Sequence, residues 1–187
     1  MAGWLDLLWR ETPWAGVGLV LSTVAAVGVV ALSRRRGADA LVAGGWVLAL
    51  GLVVTMTMTP GFSWRPNPTV VACAADSWAP LSLGSLLAFD QRAANVLLLV
   101  PLGLLAVLLR PRPVAAAALA VTVAMPFVAE LTQYLVPSLG RVCDSEDLVD
   151  NLTGVVVGVV LGVLLPSVRG RRAEPVAAAG QEQPALR

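Results

Sequence analysis

Five stretches of this chain are apolar for about the length that a helix needs to cross a bilayer: residues 14–33, 38–59, 94–109, 113–136 and 148–168. A backbone in hydrocarbon has no water to bond to, so its N–H and C=O groups must be satisfied within the segment, as a helix does. The expected fold is therefore all-α, a polytopic membrane helical bundle of about five transmembrane helices. The third stretch is the shortest, and the helix-forming residues of AFDQRAAN allow an earlier start. Hydrophobic residues make up 57% of the chain and charged residues 13%, far from the balance of a soluble domain. A length of 187 residues leaves room for a single membrane domain, residues 1–172. The remaining residues 173–187, AEPVAAAGQEQPALR, are small, polar and Pro-containing and read as a disordered cytoplasmic tail. The first span is too long for a cleaved signal and is followed by Arg34, Arg35 and Arg36, so it reads as retained.

Arginine placement sets the expected orientation. Arg34–Arg36 lie between spans one and two, Arg110 and Arg112 between three and four, and Arg169, Arg171 and Arg172 after five. All three groups fall on one side of a five-span bundle, which the positive-inside rule makes cytoplasmic. The N-terminus is then outside, and the outer side receives residues 60–93 and 137–147, where acids match or outnumber arginines. Arg10 must also be outside, in a segment whose Trp4, Leu5, Leu8 and Trp9 would lie in the outer interface. Within the longer outer loop, LSLGSLLAF (residues 81–89) is too short to span and reads as a re-entrant or interfacial helix.

All 13 basic residues are arginine, and the chain has no lysine and no histidine. Without imidazole it cannot build a His-based zinc site or use histidine as a general base, and no haem or zinc site is expected. A net charge of +1 says nothing about nucleic acid, and with no basic patch with interleaved aromatics none is expected as a partner.

The orientation brings scattered polar residues to one outer level: Asp90, Arg92 and Asn95 at the start of span three, Glu130, Gln133 and Tyr134 in span four, and the stretch from Arg141 to Asn151. Residues 130–151 carry five of the 12 carboxylates: Glu130, Asp144, Glu146, Asp147 and Asp150. Charge at the edge of hydrocarbon is costly and persists where it faces a partner, a cavity or a substrate. Glu130, Gln133 and Tyr134 are spaced to share a helix face. Glu130 lies seven residues before Pro137, roughly 10 Å below the helix end. A carboxylate at that depth pairs with a cation, for which Arg92 and Arg141 are the candidates, or takes up a proton. Pro126 leaves the carbonyl of Thr122 without its usual helical donor, marking either a cavity wall or a tolerated membrane-helix proline.

On span five, Asp147, Asp150, Asn151, Gly154 and Gly158 follow three- and four-residue steps. Gly154, Gly158 and Gly162 form a small-residue stripe for close helix packing, against span four or a second subunit. The stripe turns Asp150 and Asn151 inward. Asp144, Ser145 and Glu146 are equally well explained as helix caps. Cys73 and Cys143 both fall in outer loops, where an oxidising compartment permits a disulfide. The clustered carboxylates would suit Mg²⁺ or Ca²⁺, although DSEDLVDN lacks the spacing and central glycine of an EF-hand loop.

The combination resembles the VanZ-like family of small bacterial membrane proteins, whose name comes from a member associated with low-level teicoplanin resistance. The resemblance covers about residues 87–165. It rests on Asp90, on Asn95 followed by VLLLVPLG with Pro101 and Gly103, on Glu130 and Gln133, and on Arg141, Asp144, Asp147, Asp150, Asn151 and Gly154. Leu99 stands where many members have Phe, and the first two spans and the cysteines are not part of the pattern. The resemblance implies a membrane location and a connection with glycopeptide resistance, without an established reaction.

Three functions fit. In the leading one, an acidic site on the extracytoplasmic side of the cell membrane binds an amphiphile: a membrane lipid, a lipid-linked cell-wall intermediate or a lipoglycopeptide. In the second, an intramembrane enzyme acts on such a lipid, with Glu130 and Asp147 or Asp150 as catalytic acid and base. The third, a proton- or ion-coupled transporter, is disfavoured by five spans without an evident inverted repeat.

Overall fold

The computed structural model describes residues 12–34, 38–60 and 73–171. Among the described residues, six α-helices appear in chain order: α1 (Ala15–Leu32), α2 (Ala38–Met58), α3 (Leu83–Ala88), α4 (Gln91–Leu108), α5 (Arg112–Leu135) and α6 (Ser145–Arg171). A short 3₁₀ turn, Pro137–Leu139, follows α5. Every helix except α3 is long and apolar enough to cross a membrane, so the chain is an all-α protein with five candidate spans among the described residues. The interfacial residues Trp4, Leu5, Leu8, Trp9 and Arg10, the cationic Arg35, Arg36 and Arg172, and the tail 173–187 lie outside the described residues.

Two spans begin earlier than their apolar runs, and the reason is capping. Helix α4 starts at Gln91 rather than 94, because the Asp90 carboxylate accepts from the N–H groups of Arg92 (3.0 Å) and Ala93 (3.2 Å). Helix α6 starts at Ser145 rather than 148, with Asp144 Oδ1 accepting from the Glu146 N–H at 2.8 Å. Glu146 and Asp147 then occupy the first turn, where the helix dipole favours negative charge. Hydropathy discounts these polar residues, but they satisfy N–H groups that a helix start leaves open. The segment 81–89 contains the short α3, whose N-cap Ser82 accepts from the Ser85 N–H at 3.0 Å.

Packing divides into two glycine-lined contacts. Helix α6 lies against α4, so the partner of the Gly154, Gly158 and Gly162 stripe is span three of the same chain, not span four or a second subunit. A Cβ on Gly154 would sit 2.1 Å from the Val96 carbonyl oxygen, and one on Gly158 would sit 2.1 Å from that of Val100. The backbones touch, so side chains there must be absent. Helix α1 packs on α2 in the same manner, with Gly18 against Thr55 and Gly51 against Ser22. Between α2, α4, α5 and α6 lies the main core of Ala49, Val53, Leu99, Leu102, Met125 and Val155. Pro126 is buried within a helix that continues to Leu135, and the hydroxyl of the buried Thr122 accepts from Trp46 Nε1 at 3.3 Å.

Candidate functional site

The polar side chains gather where the segments 73–90 and 136–144 meet the ends of α2, α4, α5 and α6. Cys73 and Cys143 are joined by a disulfide with Cα atoms 4.6 Å apart. Beside it, Ala74 pairs with Asp144: the Ala74 N–H donates to the Cys143 carbonyl and the Ser145 N–H to the Ala74 carbonyl, both at 2.9 Å. The segment 73–90 is thereby fastened to the head of α6.

Arg92 is the hub of the first half of the cluster. Its Nε and Nη2 meet the two oxygens of Asp150 at 2.8 and 2.9 Å, a bidentate pair. Nη2 also donates to the Ala79 carbonyl at 2.7 Å, and Nη1 lies 3.5 Å from Glu146. Ser77 Oγ donates to Glu146, and Ser145 Oγ donates to the Ser77 carbonyl. Asp150 is 0% exposed with both oxygens engaged, so its role is to hold Arg92 across the α4–α6 contact. Asp90 is the exposed cap of α4, and its carboxyl is held below the usual range chiefly by the Ala93 N–H.

Glu130, Gln133, Asn95, Asp147 and Asn151 form the second half. Glu130 is 8% exposed and accepts from the Asp144 N–H at 2.8 Å. Arg92, one expected cation for Glu130, is committed instead to Asp150 and Glu146. Asn95 Nδ2 donates to Asp147 at 2.7 Å, a second polar link between α4 and α6. Glu130 and Asp147 are near enough for their charges to act on each other, and Asp144 and Arg141 also face Asp147.

The end of α2 supplies contacts that its sequence does not announce. Gln133 Nε2 donates to the Thr57 carbonyl at 3.1 Å and Arg141 Nε to the Thr59 carbonyl at 3.0 Å. These carbonyls belong to the helix's C-terminal end, where no further turn supplies donors and where the dipole attracts a guanidinium. The hydroxyls of Thr55, Thr57 and Thr59 turn back to carbonyls four residues earlier. The only sequence signal is TMTMT, three threonines at alternate positions closing an apolar span. Ser77 and the Ala79 carbonyl were equally silent.

Most of the residues expected to converge therefore do so, but with divided tasks. Asp144 and Asp90 cap helices, Asp150 and Glu146 hold Arg92, and Arg141 anchors the end of α2. Tyr134 parts from Glu130 and Gln133: it is 42% exposed, at the outer edge of their shared face. Among the described residues no three Cys, Asp or Glu side chains come together in a way that could hold a metal ion. Two buried amide oxygens, Gln133 Oε1 and Asn151 Oδ1, have no hydrogen-bond partner.

The sequence model of the VanZ/LLP1 family matches residues 21–166. This chain belongs to the VanZ-like family. The match takes in most of α1 and all of α2, so the family pattern reaches well beyond residues 87–165 into spans that look generic by sequence. No curated protein and no solved structure matches the chain. Family membership and five apolar helices together make this a VanZ-like multi-pass membrane protein.

Proposed function

We propose that this VanZ-like protein is a receptor for the polar head of an amphiphile at the extracytoplasmic surface of the cell membrane. The head group meets Glu130, Gln133, Asn95, Asp147 and Asn151, and the acyl chain runs along the neighbouring outer face of α5. One juxtaposition carries the reading: the buried Glu130 sits next in the helix to the exposed Leu131, three residues after the exposed Phe127 and five before the exposed Leu135. A polar cluster opening beside an apolar wall matches the two ends of a lipid. The family's association with teicoplanin points to a membrane lipid, a lipid-linked cell-wall intermediate or a lipoglycopeptide as the amphiphile, and to protection of the envelope as the result.

Binding is favoured over catalysis by the Glu130 carboxylate itself, which holds the Asp144 N–H at the head of α6 and so has a fixed acceptor role. Native mass spectrometry of the protein purified in maltoside micelles tests the proposal. Wild-type protein should retain lipid, and Asp147→Asn and Glu130→Gln should lose most of it. Equal lipid retention in all three proteins would remove the cluster from ligand capture. Lipid that emerges with an altered mass after incubation would identify an enzyme instead. In cells, expression of the wild type but not of Glu130→Gln should raise tolerance to teicoplanin.

A further inference from the structure

Two of the cluster's buried acceptor oxygens have no hydrogen-bond partner. Gln133 Oε1 and Asn151 Oδ1 are both hydrogen-bond acceptors, and their residues are 7% and 4% exposed. The Gln133 amide cannot be turned to hide its oxygen, because its nitrogen already donates to the Thr57 carbonyl. Each orphan lies on the helix face of a carboxylate: Gln133 three residues after Glu130, and Asn151 four after Asp147. Nearly all native buried polar groups are paired, so two orphaned acceptors side by side with acids call for donors from outside the chain.

Charge points the same way. The cluster holds five carboxylates (Glu130, Asp144, Glu146, Asp147 and Asp150) and two guanidinium groups, those of Arg92 and Arg141. Arg92 is spent on Asp150, Glu146 and the Ala79 carbonyl, and Arg141 Nε donates to the Thr59 carbonyl. An anionic head such as a phosphate would meet carboxylates and acceptor oxygens. A metal ion is a poor fit, since no three acids or cysteines among the described residues converge on one point.

We infer that the head group this site takes is an ammonium bearing N–H donors, carried on an acyl or alkyl chain. The N–H groups would supply the hydrogen bonds that Gln133 Oε1 and Asn151 Oδ1 lack, and the positive charge would offset Glu130 and Asp147. This rests on the amphiphile reading and sharpens it. A quaternary ammonium has the charge without the donors, so it separates hydrogen bonding from simple electrostatic attraction.

The test uses the full chain in maltoside micelles, titrated with dodecylammonium, dodecyltrimethylammonium, dodecyl phosphate and butylammonium and followed by native mass spectrometry. Charge-assisted hydrogen bonds lost from the quaternary head should make dodecylammonium bind at least ~10-fold more tightly than dodecyltrimethylammonium. Asn151→Leu should keep the fold and reduce that preference several-fold while raising thermal stability, because it removes a buried unpaired acceptor. Equal affinity for the two cations, a preference for dodecyl phosphate, or an unchanged preference in Asn151→Leu would each overturn the inference. Butylammonium binding as tightly as dodecylammonium would overturn the membrane-borne source of the cation. If none of the dodecyl probes binds saturably, the amphiphile reading itself fails, an outcome distinct from loss of head-group selectivity.

Discussion

Gly158→Ala adds one methyl group at the place where α6 and α4 touch. Its carbon would lie 2.1 Å from the Val100 carbonyl oxygen and 2.8 Å from the Leu104 nitrogen. Both neighbours are backbone, so no rotamer change relieves the clash. Restoring ordinary van der Waals contact at 3.4 Å requires the two helices to part locally by roughly 1.3 Å. The same pair of helices is bridged by Arg92–Asp150 at 2.8 Å and Asn95–Asp147 at 2.7 Å. These bridges lie ~12 and ~17 Å up the axis from Gly158, so even part of the displacement stretches them toward the limit of a hydrogen bond. Overpacking of this kind costs about 1–3 kcal/mol. Alanine in a helix regains about 0.5–1 kcal/mol relative to glycine. Gly28→Ala in α1 supplies the control, because nothing lies within 4 Å of its added carbon. It should show the propensity gain alone, and the gap between the two variants should equal the overpacking cost. Unfolding of both proteins in mixed maltoside–dodecyl sulfate micelles, followed by tryptophan fluorescence, measures that gap. Equal stability of Gly158→Ala and Gly28→Ala would refute the claim that the glycine stripe brings α4 and α6 into backbone contact.

Arg92→Met strands Asp150 without its partner in a fully buried position and should cost about 3–5 kcal/mol, whereas Arg92→Met combined with Asp150→Leu should recover most of it. A double-mutant cycle by the same unfolding assay checks this, and additive losses would deny the pairing. Reduction of Cys73–Cys143 opens a link between residues 70 apart in sequence, for which chain entropy sets a ceiling of about 4 kcal/mol. Helices already held in the bilayer should make the measured loss smaller, and an impermeant phosphine added to intact cells should effect the reduction if the loop faces outward. The Asp90 carboxyl has its pKa lowered on folding, chiefly by the Ala93 N–H, so its contribution is present above the ordinary value of 3.8 and is lost as pH falls through the lower folded value. Asp90→Asn, which keeps an N-cap acceptor, should therefore unfold with a smaller loss of stability between pH 5 and pH 3 than the wild type; identical pH profiles would count against the cap.

The resemblance drawn from Asn95, Glu130, Gln133, Arg141, Asp147 and Asn151 pointed to residues that the structure brings into one polar cluster, because polarity in or beside an apolar span is conspicuous. Their tasks were less legible. Arg92 and Arg141 are equally plausible cations for Glu130 by sequence, since both lie at its level. Only packing assigns Arg92 to Asp150 and Arg141 to the end of α2. Backbone groups were invisible in principle: the carbonyls of Thr57, Thr59 and Ala79 carry no mark in the sequence, yet each receives a hydrogen bond from the cluster. The first two spans look generic because a glycine in an apolar run is common, and the tight fit of Gly18 on Thr55 and Gly51 on Ser22 appears only once α1 and α2 are paired.

By itself the sequence determined that this chain is a bundle of apolar helices with a polar cluster near one end, because hydrocarbon tolerates neither an unsatisfied backbone nor a casual charge. It also determined where glycine would allow helices to touch. Tertiary structure alone decided that α4 is the neighbour of α6, and so which acid meets which arginine. Helical periodicity says which residues share a face, while the identity of the opposite face depends on packing among segments far apart in the chain. That choice leaves Asp150 satisfied, and Gln133 and Asn151 each with a buried oxygen still without a donor.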